Sequence, residues 1–235
     1  MIILAFDGTA KAASVAVCDG EKTLAEYTID NGLTQSELLL PMAESMLKSL
    51  GLTFSDVELY AVANGPGSFT GVRIGVSLVK GLAFGRNIPC VAVSTLEALA
   101  ENLRGLDGVL LPVMDARRNQ VYNAIYESDG VSMTRLTEDR AIALDDLGKE
   151  LSAYGDKKIY LSGDGYSVAR RVLCSSGLKI ENTPELLITE NAASVARVAY
   201  RKYLIGEYST DLLLSPTYLR MPQAERERLE RLNKE

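Results

Sequence analysis

The sequence predicts an α/β protein of two lobes, each a mixed sheet flanked by helices. Three observations lead there. The chain opens with three short apolar or alternating runs broken by turn signals. A strand–helix alternation follows, and the same order of elements partly returns in the second half.

The opening strands are MIILAFD (1–7), SVAVCD (14–19) and KTLAEYTID (22–30), divided by DGTAKAA and by Asp19-Gly20. Asp-Gly between alternating runs is a hairpin signal, so the three are expected to be antiparallel. A helix over 34–50, a strand over 58–63, a helix over 71–86 and a strand over 89–94 come next. Three antiparallel strands followed by alternating helices and strands is the order of a ribonuclease-H-like domain. The second half reads VLLPVMDA, QVYNAIYES and VSMTRLTE as another trio within 109–138. It continues with a helix over 143–154, the strand KIYLSG, a helix over 166–176, a short strand and a helix over 190–205. Polar and Gly residues in ENLRGLDG (101–108) mark a boundary, giving lobes at 1–104 and 105–211. A charged helix within 212–235 is expected to pack back on the first lobe.

TQSE at 34–37 has the residue types of a capping box, in which Thr34 accepts from the Glu37 amide and Glu37 reaches back. Pro41 removes one helical bond and crowds the carbonyl four residues earlier. A kink is expected there, or a helix that regularises only near 38. Leu38, Leu39, Leu40, Met42, Ala43, Met46, Leu47 and Leu50 cover roughly 200° of the helix, about twice what a surface helix needs. Val72, Ile74, Gly75, Val76, Leu78, Val79, Leu82 and Ala83 show the same excess. One reading buries both helices on two sides within the monomer. The other assigns one apolar edge of each to a partner.

At 235 residues with a net charge of −6, the chain can bury a real core and lacks the basic footprint of an unaided nucleic-acid binder. Cys18, Cys90 and Cys174 are widely spaced and read as reduced, buried thiols. The start is too short and too early charged for a signal peptide, and no apolar run reaches a membrane span. A cytoplasmic protein is expected. The absence of histidine removes Ser–His and Cys–His triads, His general acid/base chemistry and His metal sites; no metal is expected.

NGPGSFTGVR (64–73) follows an apolar strand and opens a helix, the setting of a phosphate loop. It lacks the Gly-Lys-Ser/Thr of a Walker loop. Thr70 stands where a dinucleotide fingerprint needs its third Gly. Pro66 and Thr70 occupy the Gly positions of a nucleophile elbow around Ser68. A structural corner fits better: Gly65 and Gly67 relieve the turn, Pro66 stiffens it, and Ser68 or Thr70 caps the helix. DGTAKAASVAV (7–17) sits in the first β-turn-β, where actin-like ATPases cradle phosphate. Asp7, Gly8 and Thr9 are adjacent, without the spacer of Asp-x-Gly-Thr, so the loop reads as eroded, with weak or lost nucleotide contact. LSGDG (161–165) is placed for a second nucleotide turn. MDARRNQVY (114–122) sets Asp115, Arg117 and Arg118 together at a turn, paired internally or facing an anion.

FDGTAKAASVAV, TQSELLLPM, NGPGSFTGVRIGVSLVKGLAFG, VSTLEALA, MDARRNQVY and PTYLR, in that order, resemble the TsaB (YeaZ) family of the tRNA threonylcarbamoyladenosine machinery. The resemblance runs from residue 1 to about 125 and returns at 216–220. It implies an actin-like ATPase fold and a platform, without intrinsic transfer activity, for the catalytic subunit TsaD and, with it, the ATPase TsaE. tRNA would be reached only through that complex. In TsaD the equivalent first helix carries metal-binding histidines; TQSELLLP has none, so metal-assisted transfer is excluded from this chain. The family pairs with TsaD, or with itself, through the helices at 34–50 and 71–86. That implies an interface of Leu38, Leu39, Met42, Met46, Val72, Gly75, Val76 and Val79. The family-motif turn is Gly65, Pro66, Gly67, Ser68, Phe69, Thr70, Gly71 and Arg73. Asp7, Gly8, Thr9, Asp115 and Arg117 remain for weak nucleotide or anion contact. No tightly bound cofactor is expected, with ATP or ADP at a subunit junction left open. The competing readings are an actin-like ATP-dependent small-molecule kinase using Asp7–Thr9 and, below it, a peptidase acting through Ser68 or Thr70.

Overall fold

The computed structural model describes residues 1–220. β1 (Ile2–Asp7) lies at the centre of a five-stranded sheet of order β3-β2-β1-β4-β5 and is buried from Ile3 onward. β2 (Ala13–Asp19) and β3 (Lys22–Ile29) are antiparallel neighbours joined through Gly20, whose φ of +58° suits the Asp-Gly turn. β4 (Leu59–Ala63) and β5 (Cys90–Val93) run parallel to β1 and so need helical crossovers. All five residues of β4 are buried, as a central parallel strand covered on both faces requires.

α1 (Gln35–Ser49) and α2 (Phe69–Ala83) cover one face of this sheet. Glu37 accepts from the Thr34 amide at 2.9 Å and from its hydroxyl at 2.7 Å. The expected capping box is present, with the Thr34 side chain facing the Glu37 amide and Glu37 reaching back to the Thr34 amide. The helix is regular from Gln35, not from 38, and carries Pro41 on its exposed side.

The eight residues expected at a partner interface face inward. Leu38, Leu39, Met42 and Met46 of α1, with Val72, Gly75, Val76 and Val79 of α2, are buried in the chain's own core. They pack on Leu4, Phe6, Tyr60 and Val62 of the sheet. At Gly75 an added Cβ would stand 3.3 Å from Val62 Cγ2. The broad apolar arcs are largely satisfied by the sheet and by the neighbouring helix, which leaves Leu40 as the large apolar side chain exposed on α1.

The second lobe repeats the plan. β6 (Asp107–Asp115) is its centre, with β7 (Gln120–Asn123) and β8 (Tyr126–Asp129) antiparallel to its two ends, as halves of one interrupted strand. The expected second strand, QVYNAIYES, is thus split in two; β9 (Met133–Arg135), within the expected third, pairs β8, and β10 (Arg140–Ala143), beyond it, pairs β7. β11 (Ile159–Ser162) is parallel to β6. α4 (Leu144–Leu151) and α5 (Tyr166–Ser175) cover one face. In place of the expected last strand there is a single bridge, Ile159 to Ile180.

Each sheet is finished by a helix from the other half. α3 (Thr95–Asn102), which the sequence reading passes over, follows β5 yet buries Leu96 and Leu99 with Leu110, Met114 and Tyr126 of the second lobe. α6 (Ala192–Leu204) follows the second lobe yet covers the first sheet, where Ala192, Ala193, Ala196 and Ala199 meet Ile3, Ala5, Ala16 and Ala61. Small residues on both sides let this helix lie close to the strands. The boundaries 1–104 and 105–211 thus misplace both helices. Residues 212–220 are not helical; they run as a strap along the first lobe, with Leu214 buried. The rest of the expected C-terminal helix, 221–235, lies outside the described residues. Two lobes of ribonuclease-H-like strand order are thus joined by exchanged helices. No described helix is long and apolar enough to cross a membrane.

Candidate functional site

A cavity of about 730 Å³ lies between the lobes. The first lobe contributes Thr9 to Lys11, the N-termini of α1 and α2, and the corner Pro66 to Thr70. The second contributes Asp115 to Arg117, Tyr122 and Asp164, and the strap adds Thr217 to Arg220.

The corner preceding α2 packs backbone against backbone. The Ser68 amide donates to the Thr9 carbonyl at 2.7 Å, and Ser68 Oγ accepts from the Gly71 amide at 3.3 Å as the helix cap. A Cβ on Gly67 would stand 2.4 Å from the Thr9 carbonyl oxygen, and one on Gly71 would stand 2.0 Å from that of Gly8. Gly65, at φ +112°, is closed in by the Thr217 carbonyl, and the Gly65-Pro66 bond is cis. Asn64 holds the strap through Ser215 O and Thr217 Oγ1, at 3.0 and 2.9 Å. Phe69 stacks on Tyr218, and Arg73 lies over Phe69 while its Nε donates to Tyr218 Oη at 2.8 Å. The motif residues form a brace joining the first β-turn, the start of α2 and the strap.

The turns at Asp7–Lys11 and at LSGDG are internally bonded. Thr9 gives its amide and its hydroxyl to Asp7 Oδ1, at 2.9 and 2.6 Å. Gln35 Nε2 holds the Ala10 carbonyl at 2.9 Å. In LSGDG the amides of Gly163, Asp164 and Gly165 go to Ile188 O, Glu190 Oε1 and Val113 O. Between these turns, Asp115 and Arg117 are exposed at the cleft. Arg117, Arg118 and Asn119 all have φ between +54° and +61°, a left-handed turn fixed by Asp115 Oδ1 accepting the Arg117 amide at 2.7 Å. Arg220 crosses from the strap to donate to Ala116 O at 2.9 Å.

Sequence reasoning missed Glu190. It is buried just before the α6 cap Asn191, and its only sequence signal is an acid ahead of a small-residue helix. Burial first, then the neighbouring charges of Asp7 and Asp164, pushes its carboxyl up to about 8. Burial also lifts Asp7 to about 6 against the lowering pull of Thr9, and raises Asp164.

The family model described as "TsaD: tRNA N6-adenosine threonylcarbamoyltransferase" matches residues 34–227. The tRNA threonylcarbamoyladenosine biosynthesis protein TsaB of Bacillus subtilis is 35% identical over 74% of this chain and 75% of its own length. The chain belongs to the TsaB (YeaZ) family. The Escherichia coli TsaB is 29% identical over 94% of this chain and 95% of its own. A solved structure, YeaZ from Pseudomonas aeruginosa, superposes with a TM-score of 0.73 at 25% identity, covering 93% of this chain and 99% of that one.

Against this TsaB frame, the expected residues divide into four groups. The motif turn Gly65 to Gly71, with Arg73, is assembled as one brace. Asp7, Gly8 and Thr9 lie beneath it, with Asp7 and Thr9 bonded to each other. Asp115 and Arg117 line the cleft, while the eight proposed interface residues are core.

Proposed function

We propose that the chain is an accessory subunit for threonylcarbamoyladenosine formation in tRNAs that read codons beginning with adenine. It binds a TsaD-type catalytic subunit and, with it, a TsaE-type ATPase, in the cytoplasm. The observation that carries this reading is the internal bonding of Asp7–Thr9 and Gly163–Gly165 in a cleft where a nucleotide-using relative would present free amides. Family membership supplies the pathway, and the braced cleft supports a structural contribution over a chemical one.

The partner surface we assign is the outward side of α1 and α2, not their buried stripes. Leu40 on α1 and Ser77 on α2 are exposed, Ile74 and Leu78 are half-buried, and Gly81 has no atom within 4 Å of an added Cβ. A helix from a TsaD-type subunit, or from a second copy when that subunit is missing, can approach closely along such a ridge.

Co-expression with the TsaD-type and TsaE-type subunits of the same organism tests the reading. A stable complex is expected, with tRNA modified only when TsaD and this chain are both present. Modification by this chain alone overturns it.

A further inference from the structure

Three elements bring carboxyl groups into one neighbourhood behind the cleft, whose wall Asp164 lines. Asp7 ends β1, Asp164 sits in the turn before α5, and Glu190 lies on the segment that returns the chain to the first lobe. Glu190 is 4% exposed, and its Oε1 accepts the Asp164 amide at 3.0 Å. Asp7 is 1% exposed; its Oδ1 takes both Thr9 donors, and its Oδ2 has no partner at all. Asp164 Oδ1 accepts the Asp115 amide at 2.9 Å.

The surrounding charge does not neutralise this group. Asp115 adds a negative charge beside Asp164, and Lys11 is the cation that bears on it. Among the described residues no cation bears comparably on Asp7 or Glu190. Glu26 of β3, on the neighbouring side, accepts the Ala193 amide and brings no positive charge. Two carboxylates in a dry interior repel and lose their hydration, whereas a protonated carboxyl is a hydrogen-bond donor. Asp7 Oδ2 is the buried acceptor in this cluster that lacks one. Among the described residues no group of three or more Cys, Asp or Glu is placed to hold a metal ion, which favours a proton over a cation.

We propose that Glu190 is protonated at neutral pH and shares its proton with Asp7, and that releasing the proton loosens the junction between the second lobe and α6. The charge of the pair is then −1, with the proton going to solvent on release. In the folded chain Glu190 titrates near 8 instead of its ordinary 4.5, so between those values the folded state holds a proton that the unfolded chain has lost. Its contribution to stability is complete below about 4.5 and is withdrawn as pH rises through about 8. Asp7 acts in the same direction, between its ordinary 3.8 and about 6.

Glu190→Gln keeps an acceptor for the Asp164 amide and a permanent donor for Asp7, but does not titrate. Thermal unfolding of the full chain and this variant, from about pH 5.5 to about pH 8.5 in EDTA, is the test. The variant is expected to gain several degrees over the parent as pH rises, and to slow exchange of the Gly163 and Asp164 amides at high pH. A melting difference that is the same at every pH overturns the proposal. So does Mg²⁺ restoring the parent but not the variant at high pH, which assigns the cluster to a cation. If the variant does not fold, carbon-13 NMR of the Glu carboxyls decides. One signal is expected to titrate near 8 and to move down in Asp7→Asn; all of them titrating in the ordinary Glu range overturns the proposal.

Discussion

The Glu101 carboxylate of α3 meets the Arg201 guanidinium of α6 at 2.6 Å, in the seam where the two exchanged helices touch. Its side chain is only 2% exposed, and it also takes Arg104 at 2.8 Å and faces Arg197 at 3.7 Å. One buried anion therefore organises three cations from both crossovers. α3 finishes the second lobe and α6 finishes the first, so this pair joins the cores of both.

Glu101→Gln is expected to lower stability by roughly 3 kcal/mol, the low end for breaking a buried pair, because the arginines are about one-third exposed and regain water. Glu21, which pairs with Arg201 at the surface, is the control. Glu21→Gln should cost less than about 1 kcal/mol. Urea unfolding of both variants measures the contrast, and equal effects would remove Glu101 from its central place.

What the sequence revealed was local. The Asp19-Gly20 hairpin, the apolar β4 run and the Ser68 cap each depend on neighbours within a few residues, and each is present. The exchange of α3 and α6 was not legible, because an apolar stripe says that a helix is covered but not which sheet covers it. The same limit misassigned Met42 and Gly75: a wide arc counts apolar residues without showing that sheet and adjacent helix together can cover it. Mixed charge suggested a helix from 212, yet Leu214 is held in a strap whose partners, Asn64 and Lys80, are remote in sequence. Glu190 escaped notice because burial of a carboxyl is a tertiary property.

Glycine substitutions separate the brace from the helix surface. Gly71→Ala drives a methyl to 2.0 Å from the Gly8 carbonyl, so the first β-turn or α2 must shift; a loss of about 1–3 kcal/mol is expected. Gly81→Ala meets nothing and should stabilise the helix by about 0.5–1 kcal/mol. Chemical denaturation midpoints should move in opposite directions.

Asn64→Ala should release the strap before it unfolds the lobe. The substitution removes the donor to Ser215 O and Thr217 Oγ1 and leaves the Asn64 carbonyl still accepting from the Thr217 amide. A cost of about 1–3 kcal/mol is expected. Hydrogen exchange should quicken at Thr217 and at Ser209, which bridges Cys90, while β1 and β4 stay protected. Uniform quickening across the first sheet would mean that the strap is part of the global fold.

The buried and outward sides of α1 and α2 predict opposite phenotypes. Met42→Glu places an unpaired charge among Leu4, Phe6 and Tyr60, and Gly75→Arg forces a long side chain against Val62; both should unfold the chain. Leu40→Glu and Ser77→Arg sit at exposed positions and should change stability by less than about 0.5 kcal/mol. They should nevertheless abolish co-purification with a TsaD-type subunit, because a charge on each outward ridge must be desolvated without a partner. Circular dichroism separates folding from binding in the same samples. If the outward variants bind normally, the partner lies on another face; if the inward ones stay folded, the sheet is not what covers those stripes.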